Sequence, residues 1–432
     1  MFDLPVELQR HCVKYLDVDT VKSLRTVHKG TLSLSTEELF RVVNLFPGNE
    51  SASKYIKIIE NSKLNPLVRK VVFNTSDPDD DDRDGNEEKD IDEEFKNSMR
   101  LVGRFENLSE VELKFDDECA AADKNGWDKE VQETVDFRTS MLKKFFKSLN
   151  HPTHPATKVD SLTIKHLQDH TVIYDNENFK AVRSRLKKLA LFIATEVDDA
   201  SPENSISMKA CHQMFKHDLL DHWLKPLQSQ LTHLTIYCDA YWGLWPFCDL
   251  QQVHFPHLKS LSLGNFSIAH DWQVDWILSH GSSLEELILD DCPILITLRL
   301  ESRQCGPNFP ELVPTSSDRK PSEYEYVTHV KDVEMRWHEI LPRLQKGLSN
   351  LKKFAMGHGK WNESLCFEER YEMLPMLLLN RYCIFDCGIG PSHYETYSES
   401  WGREEIKFPD CDERDMAALE ALVQVVEVRN RM

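Results

Sequence analysis

Eighteen histidines and eleven cysteines make metal or thiol chemistry the first thing to test. A structural zinc site needs paired knuckles, and no C-x-x-C occurs; Cys383-x-x-x-Cys387 has no second pair to complete it. His166 and His170 have helical spacing but fall in a strand-to-loop stretch, and no HExxH is present. His217 and Asp218 lie on the polar side of an amphipathic segment, where solvent is their expected partner. Asp80-x-Asp82-x-Asp84-Gly85 imitates the start of a calcium loop, yet the twelfth position is Ile91 where a bidentate Glu is needed. No glycine-rich phosphate loop and no G-x-S-x-G elbow appear. The residues therefore predict no catalytic group, no metal site and no cofactor.

Charge narrows the partners. Asp plus Glu number 72 against 52 Lys plus Arg, a formal net charge of −20, and such a surface repels phosphate backbones. No nucleic-acid partner is expected. No apolar run approaches the length of a membrane span, so no membrane partner is expected either. The first residues, Met1-Phe2-Asp3-Leu4-Pro5, match neither a secretory signal nor a transit peptide. The cysteines are scattered and odd in number, which fits free thiols in a reducing cytoplasmic or nuclear compartment.

The elements that must position any site come from a repeated pattern, apolar-x-x-apolar-x-apolar. It recurs at Val68/Val71/Phe73, Leu108/Val111/Leu113, Val159/Leu162/Ile164 and Leu186/Leu189/Leu191. Further copies are Leu231/Leu234/Ile236, Leu258/Leu261/Leu263, Leu284/Leu287/Leu289 and Leu351/Phe354/Met356. Three of the seven gaps between starts are 26 or 27 residues, inside the leucine-rich repeat range. The last two apolar positions stand two apart, as one face of a strand requires. One copy continues to Cys292 and Ile294 with the full repeat signature. Amphipathic stretches precede several strands: residues 137–149, 211–224, Trp272 to Ile277, and Trp337 to Leu348 with Pro342 as a kink. Helix-then-strand units of this length must stack to bury their apolar faces. An irregular leucine-rich repeat solenoid, a horseshoe of α/β class, is predicted over 47–432. An ordinary α/β domain with leucine-led strands is the alternative.

The first 45 residues differ. Leu4, Leu8, Cys12, Val13 and Leu16 line one helical face that Pro5 opens. Asp17 to Thr20 supplies capping groups before a second series at Val21, Leu24 and Val27. Ser35 and Glu38 have capping-box spacing ahead of a third helix carrying Leu39, Phe40 and Val43. So small a unit needs the solenoid or a partner to cover it.

Leu4-Pro5-x-Glu7-Leu8, then Tyr15-Leu16, Val21, Leu24-Arg25, Val27 and Lys29, resembles the F-box pattern in order and spacing. Cys12 stands where Ile or Leu is usual, and Thr31 where Trp is common. With degenerate repeats following, the chain is similar to the fungal F-box proteins, and Trp272 to Ile294 looks like one of that group's recurrent units. The resemblance implies an F-box at 1–46 and the substrate-recognition subunit of a Skp–cullin–F-box ubiquitin ligase. Leu4, Pro5, Leu8, Leu16, Val21, Leu24 and Val27 are then the candidate contacts to the Skp-type adaptor, through which a cullin is reached. The repeats would hold an unidentified target protein, and proximity alone would speed its modification, with no chemistry by this chain. The second reading is a repeat scaffold whose N-terminal helices only cap the solenoid.

Tyr241, Trp242 and Trp245 sit in an aromatic turn after the Leu231 strand; they suit a target-binding surface, or they fill an irregular gap in the core. Residues 77–94 carry twelve Asp or Glu against Arg83 and Lys89 and read as a disordered, solvated loop. Residues 300–328 read as an insertion looping out of the solenoid.

Overall fold

A computed structural model describes residues 4–76, 93–117, 133–169, 174–195, 214–300, 329–357, 376–386, 389–393 and 407–431. The acidic run up to Asp92, with its calcium-like Asp80 to Gly85, lies outside these residues, as do His170, Cys387 and the insertion from 301 to 328.

The chain divides into two compact units. The first begins with α1 (Val6–Lys14), α2 (Val18–Val27) and α3 (Leu32–Leu39). It continues with β1 (Val42–Leu45), α4 (Asn49–Glu60), β2 (Lys70–Asn74), α5 (Glu93–Met99), β3 (Glu110–Lys114), α6 (Val135–Leu149), the start of β4 (Ser161–Gln168) and α7 (Glu177–Arg183). The second holds β5 (Lys188–Ala194), β6 (His233–Trp242), β7 (Ser260–Phe266), α8 (Asp271–Leu278), β8 (Glu286–Asp290) and β9 (Ile294–Leu300). After these come β10 (His329–Asp332), α9 (Trp337–Gly347), β11 (Lys353–Gly357), β12 (Tyr382–Asp386), β13 (Ile389–Ser392) and α10 (Asp412–Arg431). A nine-stranded sheet takes β1 to β8 and then β11 in chain order, and every pairing described in it is parallel.

Register explains the pattern of leucines. Val71, Val111 and Leu162 are partners across β2 to β4, and Phe73, Leu113 and Ile164 form the next row. In the second unit Leu189, Leu234, Leu261, Leu287 and Phe354 form one row, and Leu191, Ile236, Leu263, Leu289 and Met356 another. All are buried, and each strand spends the same two positions on one core face. The amphipathic segments supply the other side. Met141, Leu142, Phe145, Phe146 and Leu149 of α6 are buried, as are Phe215, Leu219, Leu220, Trp223 and Leu224 in the π-helical run Met214–Leu224.

The opposite face differs between the units. In the first, Glu112 of β3 is buried between Lys70 of β2 at 2.7 Å and Lys165 of β4 at 3.3 Å. Burial works to raise its carboxyl, but the two lysines hold it below the ordinary value. In the second, Phe192, Ile288 and Ala355, flanked by Ala190 and Tyr237, form an apolar cluster on that face, with Thr235 and Ser262 in the same row as Ile288 and Ala355.

Three expectations are corrected. Helices and nine parallel strands alternate in the manner of a (β/α) fold, and this replaces the F-box followed by a leucine-rich repeat horseshoe. A second sheet, ordered β10-β9-β12-β13 and mixed in direction, is no part of the repeat pattern beyond Ile294, where β9 starts. Finally, Ser35 opens no third helix: it lies inside α3 and its hydroxyl donates to the Thr31 carbonyl at 2.7 Å. Phe40 ends that helix, and Val43, expected to be helical, is in β1.

Gly264 is a close-approach point beside this cluster, since a Cβ there would lie 2.1 Å from the Tyr237 ring. Gly264→Ala should therefore cost about 1–3 kcal/mol, read from the denaturant midpoint, and Tyr237→Ala in the same chain should recover most of it. An unchanged midpoint in the single variant would mean that the ring swings aside freely.

Candidate functional site

A dense polar group in the second unit lies where three elements begin: α9, β12 and α10. Trp337 and His338 open α9, Arg381 immediately precedes β12 and Tyr382 starts it, and Cys411 precedes α10, which carries Asp412 and Asp415 in its first turn. Cys411 and Asp415 are four residues apart, so one helical face presents both. The Cys411 carbonyl accepts from the Asp415 N–H at 2.9 Å, which closes the first turn.

Asp415 is the hub, with a fully buried side chain. Its Oδ1 accepts from the His338 backbone N–H at 2.9 Å and lies 2.8 Å from His338 Nδ1. Its Oδ2 accepts from Arg381 Nε at 2.8 Å, from the Tyr382 hydroxyl at 2.9 Å and from Cys411 Sγ at 3.3 Å. Tyr382 accepts in turn from the Trp337 N–H at 2.9 Å, and Arg381 Nη2 reaches Asp412.

Electrostatics follow from this crowding. Burial works to raise the Asp415 carboxyl, but hydrogen bonds from Arg381, His338, Tyr382 and Cys411 outweigh it and hold the group below its ordinary value. A carboxylate can only accept, so His338 Nδ1 carries the proton in this contact. The His338 side chain is 16 % exposed, which leaves an edge open to approach. Burial pushes the Cys411 thiol up, and Asp415 beside it adds to the effect. Burial likewise raises the Tyr382 phenol.

Two chemistries are distinguishable. A nucleophilic Cys–His–Asp triad needs the imidazole between the thiol and the acid. Here the carboxylate occupies the centre, and the thiol is held protonated. A metal centre needs convergent donors, and His338, Cys411 and Asp415 each offer one within 4.8 Å of the other two. That is a mixed nitrogen, sulfur and oxygen set of the kind zinc takes. Arg381 then serves as the outer partner that fixes the ligating carboxylate.

Sequence reasoning missed this group. The expected absence of metal ligands and of chemistry by the chain rested on contiguous motifs, whereas these donors come from positions 338, 411 and 415. The one local signal was Cys411-x-x-x-Asp415 at a helix start.

The residues singled out in advance lie elsewhere. Trp242 is fully buried and its indole N–H donates to the Gly264 carbonyl at 2.8 Å; Trp245 is buried as well. Tyr241 is half-buried, and its hydroxyl donates to Asp291 at 3.0 Å. In α1 and α2 and their flanks, Leu4, Pro5, Leu8, Leu16 and Val27 are exposed, Leu24 is half-buried and Val21 is buried. Thr31 is fully buried and its hydroxyl donates to the Leu24 and His28 carbonyls, both at 2.8 Å. His166 has a left-handed backbone, φ 54°, within β4.

No family model matches the chain, and no curated protein matches it. Among solved structures, an endoglucanase of Pseudomonas stutzeri is similar at 9 % identity and a TM-score of 0.20, covering 76 % of this chain and 88 % of that one. The same enzyme in complex with cellobiose gives 9 % identity and a TM-score of 0.21, covering 82 % and 89 %. Scores this low carry no argument about fold or activity. The F-box and leucine-rich repeat resemblance finds no family match and is withdrawn. The ubiquitin-ligase role, the Skp-type adaptor and the cullin go with it, as does the second reading of a non-catalytic scaffold. No helix among the described residues is long and apolar enough to cross a membrane.

Removing the hub carboxylate with Asp415→Ala should cost about 3 kcal/mol, because it leaves the buried Arg381 with only the exposed Asp412 as an ionic partner. Since the folded Asp415 titrates below its ordinary value of 3.8, its contribution is full above that value and is lost as the pH falls through the folded one. Wild type should thus lose stability below about pH 4 more steeply than Asp415→Ala in chemical denaturation. Parallel pH curves for the two proteins would contradict this.

Proposed function

We propose that the protein is a hydrolytic metalloprotein with one zinc-type ion held by His338, Cys411 and Asp415. One observation carries the reading: three unlike donors from two helix starts converge within 4.8 Å. Charge supports it. With Cys411 protonated, Arg381 faces the two carboxylates of Asp412 and Asp415, an excess of one negative charge. A divalent ion that displaces the thiol proton brings this small group to neutrality. Arg381, Tyr382 and Cys411 occupy Asp415 Oδ2, and Oδ1 already meets the backbone N–H and Nδ1 of His338, so an ion on Oδ1 would take the place of the Nδ1 contact. With three protein donors, a zinc ion held there would supply the acidified water of catalytic rather than structural sites.

Purified protein equilibrated with zinc should retain one ion per chain by mass spectrometry. Cys411→Ser, His338→Ala and Asp415→Asn should each weaken retention by at least about tenfold. Because a thiol proton must leave, affinity should rise with pH. Activity is checked on 4-nitrophenyl ester, phosphate and glycoside substrates, with zinc and after chelation. A wild-type chain that holds no zinc sinks the metal centre; a zinc-loaded chain inert on the whole panel counts against hydrolysis.

A further inference from the structure

The proposed ligands are unevenly shared between two helices, and this has a thermodynamic consequence. Cys411 and Asp415 belong to the start of α10, while His338 belongs to the start of α9. At the other end, Arg429 of α10 donates to the Leu348 carbonyl at 2.7 Å and to the Gln345 carbonyl at 3.1 Å, at the C-terminal end of α9. The two helices therefore run parallel, clamped at the front by the Asp415 hub and at the back by Arg429. Between the clamps the buried residues of α10 are a single stripe, Leu419, Leu422 and Val426. Parallel neighbours bring like dipole ends together, so the apolar stripe works against a modest repulsion. The front clamp answers it directly, since a carboxylate stands between two positive helix starts.

Resting on the metal reading above, we propose that α10 is an ion-controlled latch: it opens from α9 as a unit, and zinc holds it shut. The ion can be bound by all three donors only when α10 is docked, so occupancy must disfavour opening by the factor that mass action sets. No covalent step is involved.

Amide hydrogen exchange on the full chain, with and without zinc, tests this, and equilibrium dialysis of the same samples measures bound ion. At a free zinc concentration of about 100 times the dissociation constant, exchange across α10 should slow about 100-fold, with the strands β5 to β8 unchanged. Arg429→Ala, which touches no ligand, should speed α10 exchange in both states yet leave the zinc-dependent ratio intact. If zinc binds and α10 does not slow selectively, the latch is overturned while the metal centre stands. If dialysis shows no bound zinc, both fall together.

Discussion

Charge buried without a partner is the constraint on which the second unit turns. Asp415 is fully buried and ionised, and that state persists because five donors from three elements converge on its two oxygens. Each donor is the start of something: the first turn of α9, the head of β12, the first turn of α10. One carboxylate thereby fixes where three elements begin. Moving any of them by an ångström or two would leave either the acid or Arg381 uncompensated.

The parallel sheet sets the frame in which that convergence occurs. Strands that spend the same two positions on the core, row after row, can add neighbours in chain order without any change of register. What varies is the opposite face. Glu112 between Lys70 and Lys165 gives it a buried ionic cluster in the first unit, and Phe192, Ile288 and Ala355 give it an apolar one in the second. Of the aromatic residues that the sequence left open between a binding surface and a core filling, Trp242 belongs to this framework. Trp242 lies against Phe266 with ring centroids 4.7 Å apart and donates into β7, so it ties β6 to its neighbour.

A latch and a metal centre built on the same carboxylate answer the same electrostatic demand in two ways. Protons on the thiol and the imidazole satisfy Asp415 when no ion is present, and a cation would do so more strongly. The geometry that makes Asp415 a good structural clamp is thus also what draws donor atoms of three kinds together.

The sequence by itself determined the strands of the main sheet other than β1, and several of the helical segments that cross between them. Those depend on local periodicity: Leu287 and Leu289 declare a strand face, and Phe145, Phe146 and Leu149 a helix face, whatever surrounds them. It also marked Asp17, whose side chain caps α2. It misled where one pattern served two structures, as at Ser35, a capping residue by spacing that bonds back within its own helix. It was silent on the second sheet and on the hub. His338, Arg381, Tyr382, Cys411 and Asp415 span 78 positions of the chain. No spacing rule links them, because their relation is a matter of where α9, β12 and α10 meet. Only the tertiary structure could decide that, since a buried acid finds its donors through space and not along the chain.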